Sequence, residues 1–205
     1  MRKLWVLVLM MLFVTTGITC TENADTLTSK AVQAYKAKNY EKATTLCQRA
    51  LAKDPKNVMA HVLQGWLYEV EGKIDEAMLE YTKALTVNPK EKDVYIYLGN
   101  AYFVKGMFNE ALSQFEIALT LDPECPAAHY HIGLTHKSKG NNALAGKYFY
   151  EAGILALLRD EKGIIVKAYR ALQETGPDKL EQDFREIIEP WLEADSKKDE
   201  AQGIR

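Results

Sequence analysis

Residues 92–125 read KDVYIYLGNAYFVKGMFNEALSQFEIALTLDPEC, and the placing of Leu98, Gly99, Tyr102, Gly106, Phe108, Ala111, Phe115, Ala118 and Pro123 within them decides the fold. Gly106 marks a turn between two helices, where a left-handed backbone is cheap only for glycine. Pro123 follows Asp122, and a proline disfavours helix in the residue before it, so the second helix stops there.

Working outward, the same spacing returns without a gap every 34 residues. Residues 58–91 carry Gly65, Tyr68, Gly72, Ile74, Ala77, Tyr81, Ala84 and Pro89, with Gln64 in place of the leucine. Residues 24–57 match more loosely, with Ala31 in the glycine position and Tyr40, Ala43, Cys47, Ala50 and Pro55 in register. Residues 126–159 keep Gly133, Gly140, Ala145, Phe149 and Ala152 but have Leu157 where the proline belongs, so the last helix is expected to run on to about Asp160. Gly65, Gly99 and Gly133 fall mid-helix, where glycine costs about 1 kcal/mol against alanine. Close approach of the paired helix at Ala77, Ala111 and Ala145 is the expected reason. Two antiparallel helices cannot bury their apolar faces alone, so the units must stack.

This pattern resembles the tetratricopeptide-repeat family, which implies an all-α solenoid of helix-turn-helix units. In that family the first helix of each unit lines a concave, peptide-binding groove. Carried onto this chain, the groove positions are Thr28, Val32 and Tyr35, then Val62, Trp66 and Glu69, then Ile96, Asn100 and Phe103, then Tyr130, Leu134 and Lys137. Trp66, Phe103 and Tyr130 make the implied lining aromatic, which suits an apolar anchor on a protein partner. Packing between neighbouring helices is the competing reading for each residue. A family subclass clamps a terminal carboxylate with Lys, Arg and Asn. Only Asn100 matches it, while Thr28, Val32, Val62 and Trp66 occupy the other clamp positions, so that mode is excluded.

Beyond the four units, Ile164, Ile165, Ala168 and Leu172 mark one further helix, and Gly176-Pro177 ends it. From Asp178, Leu180, Phe184, Ile187, Ile188, Trp191 and Leu192 recur at helical spacing, with Pro190 expected to kink the end. An open solenoid end needs covering, so 160–194 is read as a capping helix pair and 195–205 as a disordered tail. The alternative is that the last helix fills the groove in cis.

At the other end, Arg2 and Lys3, the apolar run from Leu4 to Val14 and the small residues Thr15, Thr16 and Gly17 read as an export signal over 1–19. Cys20 stands where bacterial lipoproteins are lipidated, and a polar tether begins at 20–23. Gly17-Ile18-Thr19-Cys20 resembles the lipobox in part, since Gly17 replaces its leucine and Thr19 its small residue. Lipidation, cleavage near Gly17 or Thr19 and an uncleaved anchor remain open. Fold and anchor together resemble small lipoproteins such as type IV pilus pilotins. A scaffold for envelope enzymes and an exported docking subunit are the other readings.

The formal net charge is -2, or -4 without Arg2 and Lys3, which argues against nucleic acid as partner. No cofactor motif and no nucleotide loop occurs, and no enzymatic activity is expected. His129, His131 and His136 lack the spacing of a zinc site and read as packing residues. Cys47 is expected to be buried and Cys125 to be a loop thiol, too far apart for a disulfide. Asp75 and Glu76, and Glu91 and Asp93, sit at helix starts, where carboxylates complement the helix dipole.

Overall fold

The computed structural model describes residues 22–175 and 178–201. Over them the chain forms α1 (Ala24–Lys36), α2 (Tyr40–Lys53), α3 (Val58–Val70), α4 (Ile74–Val87), α5 (Lys92–Val104), α6 (Phe108–Leu121), α7 (Pro126–Ser138), α8 (Asn142–Leu158), α9 (Lys162–Thr175) and α10 (Asp178–Ala201). The helices pack in consecutive pairs, and α1 also meets α3, α5 meets α7 and α7 meets α9, so the first helices form an inner row. This is the all-α solenoid that the 34-residue period predicts.

Local chemistry sets the boundaries. Asn23, Asn39 and Asn57 cap α1, α2 and α3, each side-chain oxygen accepting a backbone N–H at 2.8, 3.1 and 2.9 Å. In the turn between α5 and α6, Gly106 has φ 74°, and the first unit places Lys38 at the corresponding position with φ 59°. Asp54, Asn88 and Asp122 end the second helices with extended backbones. Each side chain also accepts the N–H two residues on, at 3.0, 3.1 and 3.2 Å, so the stop is an Asx turn as well as a proline effect.

The mid-helix glycines face rings rather than alanines. A Cβ at Gly65, Gly99 or Gly133 would stand 2.3, 2.4 or 2.6 Å from Cε1 of Tyr81, Phe115 or Phe149. Ala77, Ala111 and Ala145 are buried one helical turn earlier, on the same face of the second helix. The ring lies across the glycine, so the close approach is of a large side chain to bare backbone. In the first unit the equivalent pair is Ala31 and Cys47, both fully buried in one cluster, where the smaller thiol leaves room for a methyl group.

Without a proline at Leu157, α8 reaches 17 residues against 14 for α2, α4 and α6. Asp160 then turns the chain at φ 54°. Helix α9 packs along α8, and α10 packs on both. Phe184 and Ile188 of α10 are fully buried with Ala145, Phe149 and Ile165, and the Phe184 ring crosses Gly153 of α8. Leu180, Phe184, Ile188 and Trp191 of α10 are therefore committed to the end of the stack rather than to the groove, while Ile187 and Leu192, expected on the same apolar side, are exposed. Pro190 lies inside α10. The helix continues over 195–201, where the sequence predicts a disordered tail; Lys197, Lys198, Glu200 and Ala201 favour helix, and no glycine or proline interrupts it there.

Cys125 is 4% exposed, not a loop thiol: it forms the N-cap of α7 and packs with Phe115, Ala128 and Ile132. The three histidines diverge. His129 Nδ1 donates to the Cys125 carbonyl at 3.0 Å, His131 stacks on Phe115 and His136 on Tyr148.

Candidate functional site

The inner row places the expected groove residues in two classes. Thr28, Val62 and Ile96, the fifth residues of the first three units, are buried at 4, 3 and 5% exposure. They pack between units and shape the groove floor without presenting it. Tyr35, Trp66, Glu69, Asn100, Phe103, Tyr130, Leu134 and Lys137 are half-buried.

Trp66, Phe103 and Tyr130 do not form one aromatic patch. Phe103 packs on Phe108 of its own unit, with ring centroids 5.6 Å apart. Tyr130 packs on Phe149 and His131, and with Leu134 it leans on the core shared by α8, α9 and α10. Lys137 Nζ donates to Glu174 Oε2 of α9 at 2.6 Å. The fourth unit's share of the groove is thus partly covered by the helix that follows it.

The open part centres on Trp66. Its ring lies 5.5 Å from Tyr35 of the first unit and 5.4 Å from Tyr97 of the third, and Tyr97 lies 5.8 Å from Tyr81. Between α3 and α5, Val58, Met59, Val62 and Val94 line a cavity of about 170 Å³ flanked by Trp66 and Tyr97, with Glu91 and Asp93 also on its wall. Met59 is 50% exposed. Tyr97 and Met59 escape a reading confined to the fifth, ninth and twelfth positions. The signal available for Tyr97 was its place beside Ile96, on a helix that also carries Tyr95 and Tyr102.

Electrostatically the centre is acidic. Burial pushes the Glu69 carboxyl up, with the Tyr81 hydroxyl beside it opposing that shift. Burial, then the Glu69 charge, raises the Tyr81 phenol far above its ordinary value. Elsewhere, burial pushes the Cys47 thiol up to about 12, and its Sγ donates to the Ala60 carbonyl at 3.1 Å, a packing role. Among the described residues no group of three His, Cys, Asp or Glu side chains is placed to hold a metal ion. No described helix is long and apolar enough to cross a membrane, and Cys20 lies outside the described residues.

Comparison with known proteins agrees with this architecture. A tetratricopeptide-repeat family model matches residues 29–93 and a TPR-repeat model matches 99–140, together about half of the chain. No curated protein matches in sequence. Among solved structures, MamA of AMB-1 is 28% identical with a TM-score of 0.53, over 69% of this chain and 78% of that one. PilF of Pseudomonas aeruginosa shares the fold at 18% identity and a TM-score of 0.59, over 89% and 97%. The first repeat domain of Spaghetti (RPAP3), bound to the HSP90 peptide SRMEEVD, shares it at 21% and 0.55, over 58% and 94%. The chain belongs to the tetratricopeptide-repeat family, whose fold is a protein-interaction scaffold.

Proposed function

We propose that the chain is a non-enzymatic adaptor of the cell envelope, which holds an apolar segment of a protein partner on the inner face of its first three units. The cavity beside Trp66 carries this reading. Half-buried Trp66 and Tyr97 flank an apolar recess that an aliphatic side chain fits, the arrangement typical of an interface anchor. The groove bears Glu69 and Asp93 and lacks the basic clamp, so an acidic peptide such as the one bound by the RPAP3 domain is disfavoured here.

Export and a lipid at Cys20 complete the proposal. The N-terminal apolar run supports export, and two acyl chains would hold the solenoid at a membrane and raise its effective concentration there. A narrower role, escorting type IV pili or another outer-membrane machine, draws on the pairing of this fold with Cys20. A docking role for an envelope enzyme differs from it in the identity of the partner.

A photo-crosslinking residue placed at Met59, in the groove, or at Leu79, exposed on α4, tests the groove reading in cells. Adducts at Met59 that Trp66→Glu abolishes support it and name the pathway. Adducts at Leu79 alone refute it. Membrane fractionation of Cys20→Ala tests the anchor, which is refuted if the variant stays membrane-bound.

A further inference from the structure

Glu69 stands half-buried on the inner side of α3, one turn from Trp66 on the same helix face. Tyr35 and Tyr97 pack on Trp66, and Tyr81 on Tyr97; burial raises all three phenols, and the Glu69 charge adds to this, after Tyr40 at Tyr35 and after Asp93 at Tyr97. Among the described residues no Lys, Arg or His is paired with Glu69. The Tyr81 hydroxyl, at the tip of the buried ring that crosses Gly65, is the hydrogen-bonding group beside this carboxyl and brings it no positive charge. On the wall of the cavity beside Trp66 and Tyr97, Asp93 also has no ion pair among the described residues.

A carboxylate drawn out of water among ring faces lacks a positive charge. Aromatic faces attract cations, and a partly desolvated acid attracts them more strongly than an exposed one. The surrounding surface points the same way: residues 58–125 hold eleven acidic and five basic side chains, whereas 24–57 hold three and seven.

We propose that the groove takes a basic side chain, Arg or Lys, on Glu69 and the faces of Tyr35, Trp66 and Tyr97, from a partner segment whose neighbouring aliphatic side chain fills the cavity beside Trp66. This rests on the groove reading above and adds the partner's charge. Asp93 and Glu91 extend the acidic field along the segment, and the ring row from Tyr35 to Tyr97 covers the stem of the base.

The test pans a displayed library of random dodecapeptides on the full chain in detergent. Peptides retained by wild type and released by Trp66→Ala should carry Arg or Lys beside an aliphatic residue. Exchanging that arginine for neutral citrulline should weaken binding about tenfold on wild type and less than about twofold on Glu69→Gln, whose fold is checked by circular dichroism. Groove-dependent peptides without a base, or binding to wild type that is indifferent to citrulline, overturn the proposal and leave the groove reading standing. A library with no peptide sensitive to Trp66→Ala overturns both. A dimer that Glu69→Gln dissociates, with no basic peptide recovered, assigns the cation to a second copy of the chain and also overturns it.

Discussion

The ring of Phe115 occupies the space where a side chain at Gly99 would begin, with Cε1 only 2.4 Å from the Cβ that alanine would add. Phe115 is fully buried, so it has nowhere to retreat without disturbing Ala118 and Ile132 in the same cluster. Gly99→Ala should therefore destabilise the solenoid by about 2–3 kcal/mol, although alanine is the better helix former. Urea unfolding measures this, and pairing the change with Phe115→Leu should recover a good part of the loss. A neutral Gly99→Ala would refute the packing account.

The first unit runs the left-handed turn without a glycine. Lys38 has φ 59° where Gly106 has 74°, and a residue with a Cβ loses about 1–2 kcal/mol in that conformation. Lys38→Gly should stabilise the protein by about 0.5–1 kcal/mol, net of the extra freedom that glycine gives the unfolded chain. Thermal unfolding checks it; a lower melting temperature would mean that the lysine side chain contributes more than its strain.

Helix pairing and turns were legible because the period places Gly106, Pro123 and their equivalents at fixed offsets, and each has a local backbone reason. The contact across Gly99 was not. Spacing says that something approaches closely, but whether Ala111 or Phe115 does so depends on which way the second helix is rotated. The binding face suffered the same limit. Positions five, nine and twelve face inward, yet Val62 and Ile96 are sealed by the neighbouring unit, and half-buried Tyr130 leans on the core that α9 shares. Tyr97, outside those positions, completes the ring row with Trp66. Only the stacking of units decides which inward residues meet solvent.

His131 gives the fold an acid sensitivity. Its ring stacks on Phe115 and meets Tyr130 edge-on; burial first, and Lys167 second, push the imidazole down to about 4. A depressed histidine pKa means that the unfolded chain takes up a proton more readily, so stability is full above pH ~6.5 and falls as the pH drops toward 4. The loss should be on the order of 1–2 kcal/mol by pH 5. Melting temperatures from pH 7 to 5 measure it, and His131→Gln should flatten this part of the profile. An unchanged slope in that variant would place the sensitivity elsewhere.

Asp122 ties the end of α6 to two other elements. Arg159, just after α8, donates to both its oxygens at 3.1 Å, and Lys92 at the start of α5 pairs with it too. Arg159 first, then Lys92, holds the carboxyl well below the usual carboxylate range. Its contribution is therefore present above pH ~4 and is lost as the pH falls through the depressed folded value. Asp122→Asn should cost about 1 kcal/mol at pH 7, with the gap to wild type closing below pH 4 and shrinking in high salt. A gap undiminished at pH 2 would place the loss outside this charge, since asparagine keeps the Asx turn, as Asn88 does at the equivalent position.

The last helix holds on through one ring. Phe184 is fully buried, its Cζ would lie 2.3 Å from a Cβ at Gly153, and Tyr150 and Tyr169 flank it, each with its ring centroid 5.9 Å away. Glu181 and Arg185 pair on the same helix, but their contact is largely exposed and adds little. Phe184→Ala should cost about 3–4 kcal/mol, because it removes a buried ring and leaves a cavity that Gly153 has no side chain to fill. Hydrogen exchange discriminates the consequence. If α10 caps the stack, protection should fall across α8, α9 and α10 together while α1 to α4 keep theirs, as nearest-neighbour coupling in a solenoid requires. If protection in α8 and α9 is untouched, α10 is an appendage and the stack is closed by α9 alone.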